Sequence, residues 1–553
     1  MKLVKSLLLG SAAGLTAVAG AQAADLPVKK AVAVEYVRVC TAYGAGFFYI
    51  PGTDTCLRVT GFAQAAYQYT ASLAPRPDVS GFRTMGRIAL DARTDTAYGT
   101  LRTFIRMDMR NGSGSYLHSG TAVRYATAFT GTGIDTVGRL QTYVELDKAF
   151  IQFAGFTAGR AASFFDFYAA AHEIIGASYG SNVSATNLFA YTATFGGGLS
   201  ATISVEDPTW RRQPVFNAFG FGGAGTAASQ GFGGLTAQFS NPALGFTQTT
   251  PVATVFNAAG TPVAYQLLDI AQRNRVPDFV GNIRLDQPWG SAQLSVATHE
   301  IFVGAYQGGL FNSGLVGPGV QVPGQAAGIV TGAVNTAIAG AVTPAAQIPS
   351  AEYGYAVQGG VKLNLPMLGA GDTLYLQAAY AKGALRYTNP YGWNGSEANS
   401  ISGMGRLNFN TNDAVVLAGG QLELSESWSA TASYRHFWIP TVSTAIWGSI
   451  GGIDYPGAAR VGAGPVVAAT LFPGATAAQF AAATNTAVLR DVRFWQVGAN
   501  VNWTPVRGLD IGLEAVYNKI EINALAPELA KSPATLVGHD DHFMTRLRIQ
   551  REF

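Results

Sequence analysis

The chain has 553 residues, with 36 Lys and Arg against 33 Asp and Glu, and only 12% of its residues are charged, against about 25% in typical soluble proteins. That length exceeds one ordinary soluble domain, the near-zero charge balance gives no case for nucleic acid, and no run approaches the roughly 20 apolar residues of a membrane helix. A charge-poor chain with 67 glycines, 31 Phe and 23 Tyr fits a large membrane β-barrel, with a secreted β-helix or a β-rich adhesin as alternatives.

The chain opens like a secretory signal peptide: Lys2 and Lys5, an apolar run over 7–19, and the small-residue pattern Ala21-Gln22-Ala23. Cleavage is expected after Ala23, giving a signal over 1–23. An N-terminal periplasmic segment over 24–56 and a barrel over 57–553 are expected to follow. The two cysteines, Cys40 and Cys56, sit in a chain bound for an oxidising compartment and predict a disulfide. Two free thiols, or a metal half-site without a nearby His, are the alternatives.

The first clear strand begins at Leu57, with Val59, Ala63, Ala65, Tyr67 and Tyr69 outward and Gln64 and Gln68 inward. Two strongly alternating stretches follow, RTMGRIALDARTD over 83–95 and TLRTFIRMDMR over 100–110. Successive strand side chains point to opposite faces, so Arg83, Arg87, Asp91, Arg93 and Asp95 share one face and Ile88, Leu90 and Ala92 the other. In the second stretch Arg102, Arg106, Asp108 and Arg110 oppose Leu101, Ile105, Met107 and Met109. Arginines at this density cannot face a dry core unpaired, so the hairpin separates apolar surroundings from water.

A polar, Gly-rich loop is expected over 112–138. The stretch 143–160 is strand-like, with an alternation that slips near Lys148, as a bulge would produce. Residues 161–187 form a long connection carrying Phe164, Phe165 and Phe167 and the acids Asp166 and Glu173. A hairpin follows around Gly196-Gly197-Gly198. Long loops are expected over 208–275, over 302–351 (with a short helix near 328–341) and over 438–490, the last with a possible strand at 442–453. Between them come hairpins at 276–301, 353–382, 414–437 and 492–519, and a final strand over 542–553.

Short turns and long loops thus alternate, as at the two ends of a membrane barrel. Strands of ten to thirteen residues match the roughly nine to eleven needed to cross a bilayer at a tilt. About sixteen of them make an all-β, antiparallel transmembrane barrel wide enough for an aqueous channel. Aromatics near strand ends, among them Trp289, Tyr353, Trp438 and Trp503, suit interfacial girdles.

Several segments are similar to a known family. The mature start ADLPVKKA, then EYVRVC and GFFYIPGTDTCLRV, then ELDKAFIQFAGFTAGRAASFFDF over 145–167, RHFWIP over 435–440 and the terminal Phe553 resemble the outer-membrane porins of alphaproteobacteria, in particular those of rhizobia and brucellae. The resemblance implies a homotrimer of sixteen-stranded barrels in the outer membrane of a Gram-negative cell, embedded in lipid and lipopolysaccharide. It also implies short periplasmic turns, a third external loop (161–187) folded inward, and a terminal Phe553 read by the barrel-assembly machinery. Arg551 departs from that signal, which usually has an apolar residue there, and the loops at 208–275, 302–351 and 438–490 are longer than the family's usual ones. The implied function is passive diffusion of small hydrophilic molecules and ions, with no enzymatic chemistry, cofactor, metal or nucleic acid.

Two readings of the arginine face follow. In one, Arg–Asp pairs satisfy each other on a solvated wall. In the other, Arg87, Asp91, Arg93, Arg102, Arg106, Asp108 and Arg110 face Asp166 and Glu173 across a constriction and filter ions by charge. Weaker constellations carry less: GFGGAG over 220–225 follows no strand and opens no helix, the six His make no catalytic array, and His539-Asp540-Asp541-His542 sits at a strand entry. An adhesin or receptor built on the long loops is the alternative function.

Overall fold

The computed structural model describes residues 38–72, 79–112, 142–183, 185–213, 215–217, 236–241, 246–256, 262–267, 272–303, 310–312, 320–321, 350–388, 411–416, 421–457, 491–527 and 536–553. The expected signal peptide, the loop over 113–138, the GFGGAG stretch and the Ala-rich segment near 328–341 lie outside the described residues. The described chain falls into two compact units, one ending at Arg58 and one running from Val59 to Phe553.

In the first unit Cys40 and Cys56 form the disulfide, with Cα atoms 6.0 Å apart. Both pack with Phe47 in a small apolar cluster. The two-residue strand Phe48–Tyr49 pairs antiparallel with Cys56 and Leu57, and the Arg58 guanidinium lies 4.9 Å from the Phe47 ring centre. A unit this small buries little apolar area, and a cross-link supplies stability its core cannot.

The second unit is built from sixteen antiparallel strands: β1 (Cys56–Ser72), β2 (Ser80–Thr94), β3 (Leu101–Gly112), β4 (Thr142–Phe153), β5 (Phe156–Ala161), β6 (Thr186–Gly196), β7 (Leu199–Glu206), β8 (Asp278–Gln287), β9 (Gly290–Ile301), β10 (Glu352–Asn364), β11 (Thr373–Lys382), β12 (Glu426–Ile439), β13 (Val442–Asp454), β14 (Val492–Val506), β15 (Leu509–Pro527) and β16 (Leu536–Glu552). Each pairs with its sequence neighbours. The ladder closes where β1 meets β16, from Phe62 opposite Glu552 to Ser72 opposite His542. The terminal residue completes the seam, since Phe553 and Gly61 exchange backbone hydrogen bonds of 3.0 and 3.2 Å. Closure leaves no free edge, which is the only way a sheet satisfies its backbone in lipid.

The alternation is inverted relative to a soluble protein. Outward positions such as Ile151, Phe189, Ile203, Ile283, Leu294, Ile446, Val497, Leu513 and Leu547 are apolar and exposed, while inward Gln68, Gln293, Gln358, Gln377 and Asn500 are polar and buried. An apolar belt on every part of the outer wall far exceeds the few hundred Å² a soluble monomer exposes, and it requires lipid. Tyr67, Tyr69, Trp289, Tyr353, Trp438, Trp495 and Trp503 all stand on that outer surface.

One end has short connections, such as Ala154-Gly155 between β4 and β5 and Arg507-Gly508 between β14 and β15; the other end carries the long loops. Three expectations are corrected here. Residues 438–490 are not one loop: β12 and β13 form a hairpin whose two-residue turn lies at Pro440-Thr441, and the wall strand β13 runs on to Asp454. Residues 414–423 do not pair with the following strand in the wall. The stretch Ala414–Val416, too short to cross a bilayer, joins Leu422–Leu424 and Val215–Asn217 in a separate three-stranded sheet. The loops over 208–275 and 302–351 are not wholly irregular, because Thr236–Asn241, Phe246–Phe256 and Pro262–Leu267 form a five-stranded sheet with Leu310–Asn312 and Val320–Gln321.

Candidate functional site: the loop-narrowed lumen

The arginine strands behave as their alternation dictates. In β2 the odd residues Arg83, Met85, Arg87, Ala89, Asp91 and Arg93 face inward, and in β3 the even residues Arg102, Phe104, Arg106, Asp108 and Arg110 do. Arg87 makes a bidentate pair with Asp108 at 2.7 and 2.8 Å. Arg93 and Arg102 both chelate Asp91, at 2.8–3.0 Å and 2.9–3.1 Å. Arg110 adds a bond to Asp108 at 2.9 Å and lies 3.4 Å from Glu145. Bidentate forks of this kind fix the guanidinium planes.

β4 carries a bulge, for Arg106 pairs with Lys148 and Met107 with Leu146, leaving Asp147 as the extra residue. That slip turns both Asp147 and Lys148 toward the lumen, and Asp147 pairs with Arg106. A bulge commonly re-aims a side chain beside a functional site. Beneath the arginines Phe104 and Phe150 stack at 5.2 Å, and Arg102 lies 5.2 and 5.4 Å from their ring centres. On these three strands seven inward cations (Arg83, Arg87, Arg93, Arg102, Arg106, Arg110, Lys148) meet four inward carboxylates (Asp91, Asp108, Glu145, Asp147) among the described residues.

The connection between β5 and β6 crosses the lumen and is held by inward side chains of strand after strand. Asn282 of β8 donates to the Phe164 carbonyl at 2.6 Å, and Gln358 of β10 to that of Phe165 at 2.8 Å. Gln377 of β11 accepts from Tyr168 N–H at 2.9 Å. His172 bridges Ser433 and Thr373 at 2.8 and 2.9 Å. Ser449 accepts from Tyr179 N–H at 3.0 Å, and Asn500 donates to the His172 carbonyl at 2.8 Å. Glu514 of β15 accepts from the N–H groups of Ile174 and Ile175 at 2.8 and 2.7 Å. The aromatics anchor the loop. Phe165 is fully buried and meets Tyr387 edge-on at 4.7 Å. Phe167 lies flat where Gly360 leaves no side chain in its way.

The loop's acids turn inward on the loop. Asp166 pairs with Arg211 at 3.3 Å, accepts from the Val183 N–H at 2.5 Å and bonds the Ser181 hydroxyl. Burial pushes its carboxyl above the usual range, against the pull of Arg211. Glu173 accepts from the N–H groups of Ala177 and Ser178 at 2.7 and 3.0 Å. Burial, and then the nearby Glu514, raise it to about 7. Among the described ion pairs neither acid is joined to the arginines of β2 and β3, although Asp166 is within electrostatic reach of Lys148. On the same loop Ala169 and Ala171 are exposed, with Ala170 half-buried between them.

Two groups escaped the sequence reading. Arg211 sits in a Gly- and Pro-rich stretch without periodicity, yet it is fully buried against Asp166, Ser163 and Ser181. Arg435, inward on β12, donates to the Ala171 carbonyl at 3.2 Å. The alternation of β12 could have placed it inward. His539 and Asp541 point outward on β16 while Asp540 and His542 point inward, so strand alternation separates that tetrad rather than gathering it.

A closed sixteen-stranded antiparallel barrel with an apolar outer belt, a charged lumen and a loop folded into it defines a transmembrane barrel of the outer-membrane kind. A family described as "Porin subfamily" matches residues 25–544, and the chain belongs to that family. Among curated proteins it is similar to Porin Omp2a of Brucella ovis, 40% identical over 208 residues, covering 37% of this chain and 59% of that protein. It is also similar to Porin Omp2a of Brucella melitensis, 39% identical over 211 residues, covering 37% and 56%. The chain thus spans under two thirds of the length of the curated relatives it matches. Among solved structures, the outer membrane channel DcaP of Acinetobacter baumannii is 11% identical, with a TM-score of 0.45 over 91% of this chain and 99% of that one.

Proposed function

We propose that this barrel is a water-filled channel for passive diffusion of small hydrophilic molecules and ions across the outer membrane. The observation that carries this reading is the lumen itself: inward-facing charge along β2, β3 and β4, left facing water by a loop latched to the other side of the wall. Buried charge on this scale is stable only beside water or partners. Family membership supports the same activity.

In this reading the constriction lies between the arginine wall and the alanine edge of the loop. Arg87, Arg93, Arg102, Arg106 and Arg110 set selectivity, Asp91 and Asp108 hold their planes, and the excess of cations favours anions. Asp166 and Glu173 serve by fixing the loop's shape. Residues 1–23 are a cleaved signal, 24–56 a periplasmic segment, and 57–553 the barrel. The long-loop end faces outward, three copies assemble in lipid and lipopolysaccharide, and Phe553 is read by the assembly machinery. Arg551, whose guanidinium caps the Arg507 carbonyl at 3.0 Å, stands at the periplasmic rim where a snorkelling cation is tolerated.

The test is conductance of the purified full chain in planar bilayers with neutral sugars of increasing size. Stepwise conductance that falls only for sugars small enough to enter supports a diffusion pore. Folded protein without channel activity contradicts it.

A further inference from the structure

A second group of cations faces the lumen from the other side. Lys362 of β10, Tyr375 of β11 and Arg435 of β12 all point inward. Lys362 is directly opposite Tyr375 in the ladder, and Tyr375 is opposite Ser433, two residues from Arg435. The Lys362 ammonium lies 5.6 Å from the Tyr375 ring centre. In a sixteen-stranded ring, β10 to β12 stand across from β2 to β4.

Neither cation has an ion-pair partner among the described residues. Asp286, within electrostatic reach of Lys362, is chelated by Arg284 at 2.8 and 2.9 Å. Among the described residues Arg435 donates to the Ala171 carbonyl, and its Nε is buried without a partner. The loop supplies no counter-charge here. Glu173 is folded onto its own backbone, and His172 is kept neutral between Ser433 and Thr373, its pKa pushed down to about 3 by burial and then by Arg435 and Lys362. Arg548 of β16 adds a further positive charge near Arg435.

The space beside them is small-walled. Ala169 and Ala170 have φ of 43° and 58°, a left-handed backbone that is strained for alanine. Such strain persists where surrounding structure over-determines it, often at ligand clamps. The result is an alanine edge, an aromatic platform and two uncompensated cations on strands two apart, roughly 10 Å across the sheet.

We propose that Lys362 and Arg435, with Tyr375 between them, form a docking subsite for a small organic anion bearing carboxylate or phosphate groups as it passes the loop edge. The ammonium and guanidinium take the oxyanions, and the Tyr375 face takes the carbon skeleton. The subsite would raise local anion concentration on the wall opposite the arginines, so that solutes are drawn in from two sides rather than oriented between opposite charges. This inference rests on the channel reading above.

The test uses the full chain in planar bilayers in KCl, with succinate, inorganic phosphate and, as an uncharged control, glucose. Succinate or phosphate is expected to reduce the chloride current at millimolar concentration, while glucose lacks that saturable effect. Lys362→Gln should raise the half-blocking concentration about threefold and Lys362→Gln with Arg435→Gln about tenfold. Arg435→Lys, which keeps the charge, should retain most of the block. Block by one anion only assigns the subsite to that chemistry. An open channel whose block is unchanged by Lys362→Gln and by the double variant overturns the subsite while leaving the channel intact. So does a block lost in Arg102→Gln with Arg106→Gln and kept in Lys362→Gln. A folded wild-type chain without conductance overturns the channel reading, and the subsite falls with it.

Discussion

At the level of single residues, the lumen is governed by how each carboxylate is shared. Asp91 is chelated by two guanidiniums, from Arg93 and Arg102, and Asp108 by Arg87 and Arg110. Every such carboxylate is more deeply buried than its arginines, so the acids act as posts and the arginines present charge to the water. A unit charge about 7 Å from a passing ion in water contributes about 0.6 kcal/mol, roughly threefold in local ion concentration. Replacing Arg102 and Arg106 with Gln is therefore expected to move the permeability ratio several-fold toward cations in dilute KCl, with the effect fading near 1 M where the Debye length is about 3 Å. Reversal potentials at the two salt concentrations check this, and an unchanged ratio in dilute salt would remove these side chains from the conduction path. Asp91→Asn acts oppositely. It leaves Arg93 and Arg102 facing each other without their shared anion, so anion preference should rise while thermal stability falls by about 2 kcal/mol, read from the melting of the folded barrel in detergent. Much of this geometry was legible. The alternation of β2 and β3 placed every arginine on its face, because a period of two leaves no freedom once one side meets lipid. The partners were not legible, since Arg87 and Asp108, 21 residues apart, meet only through register.

At the level of elements, two irregularities shape the pore. The bulge at Asp147 puts an acid and a base side by side on the lumenal face. Its presence was readable as a slip in alternation near Lys148, and its exact residue was not. The infolded loop was readable as a long connection rich in Phe, and the wall polar groups that hold it, such as Glu514, 340 residues from Ile174, were not. Glu173 makes the loop's shape pH-sensitive. Its raised pKa, about 7, means that the folded form keeps a proton which the unfolded chain has lost above about 4.3. The native state then binds more protons between those values, so stability falls as pH rises through that window. The groups facing it are Glu514 of β15 and Tyr168 and Ser178 of the loop, and Arg546 of β16 donates to the neighbouring Ile174 carbonyl at 3.3 Å. Current fluctuations are expected to grow between pH 6 and 8 in the wild type and to stay flat in Glu173→Gln. Equal growth in both would assign the sensitivity elsewhere. Gly360→Val should drive Phe167 off the wall and into the lumen, lowering single-channel conductance without loss of the barrel, as a conductance histogram beside a heat-modifiability gel would show.

At the level of the molecule, the barrel turns the usual distribution of polarity inside out, and that inversion is what the composition recorded. Few charges, many glycines and aromatics, and no apolar run long enough for a helix leave closed strands as the way to cross lipid. Strand number and closure followed from counting alternating segments, but two kinds of segment misled: the Gly- and Ser-rich β13 reads as part of a loop, and residues 414–416 carry a strand pattern too brief to specify whether they belong to the wall or to a sheet beside it. Architecture then decides the sign of the lumen. The loop's acids are bonded within and beside the loop, to Arg211 and to loop N–H groups, and Lys362 and Arg435 have no ion-pair partner among the described residues. The most direct measurement is the zero-current potential of the wild-type channel across a bilayer under a tenfold gradient of dilute KCl. The account predicts a potential of the sign set by chloride crossing faster than potassium. A potential of the opposite sign would contradict it, because it would mean that acids rather than arginines face the narrowest water.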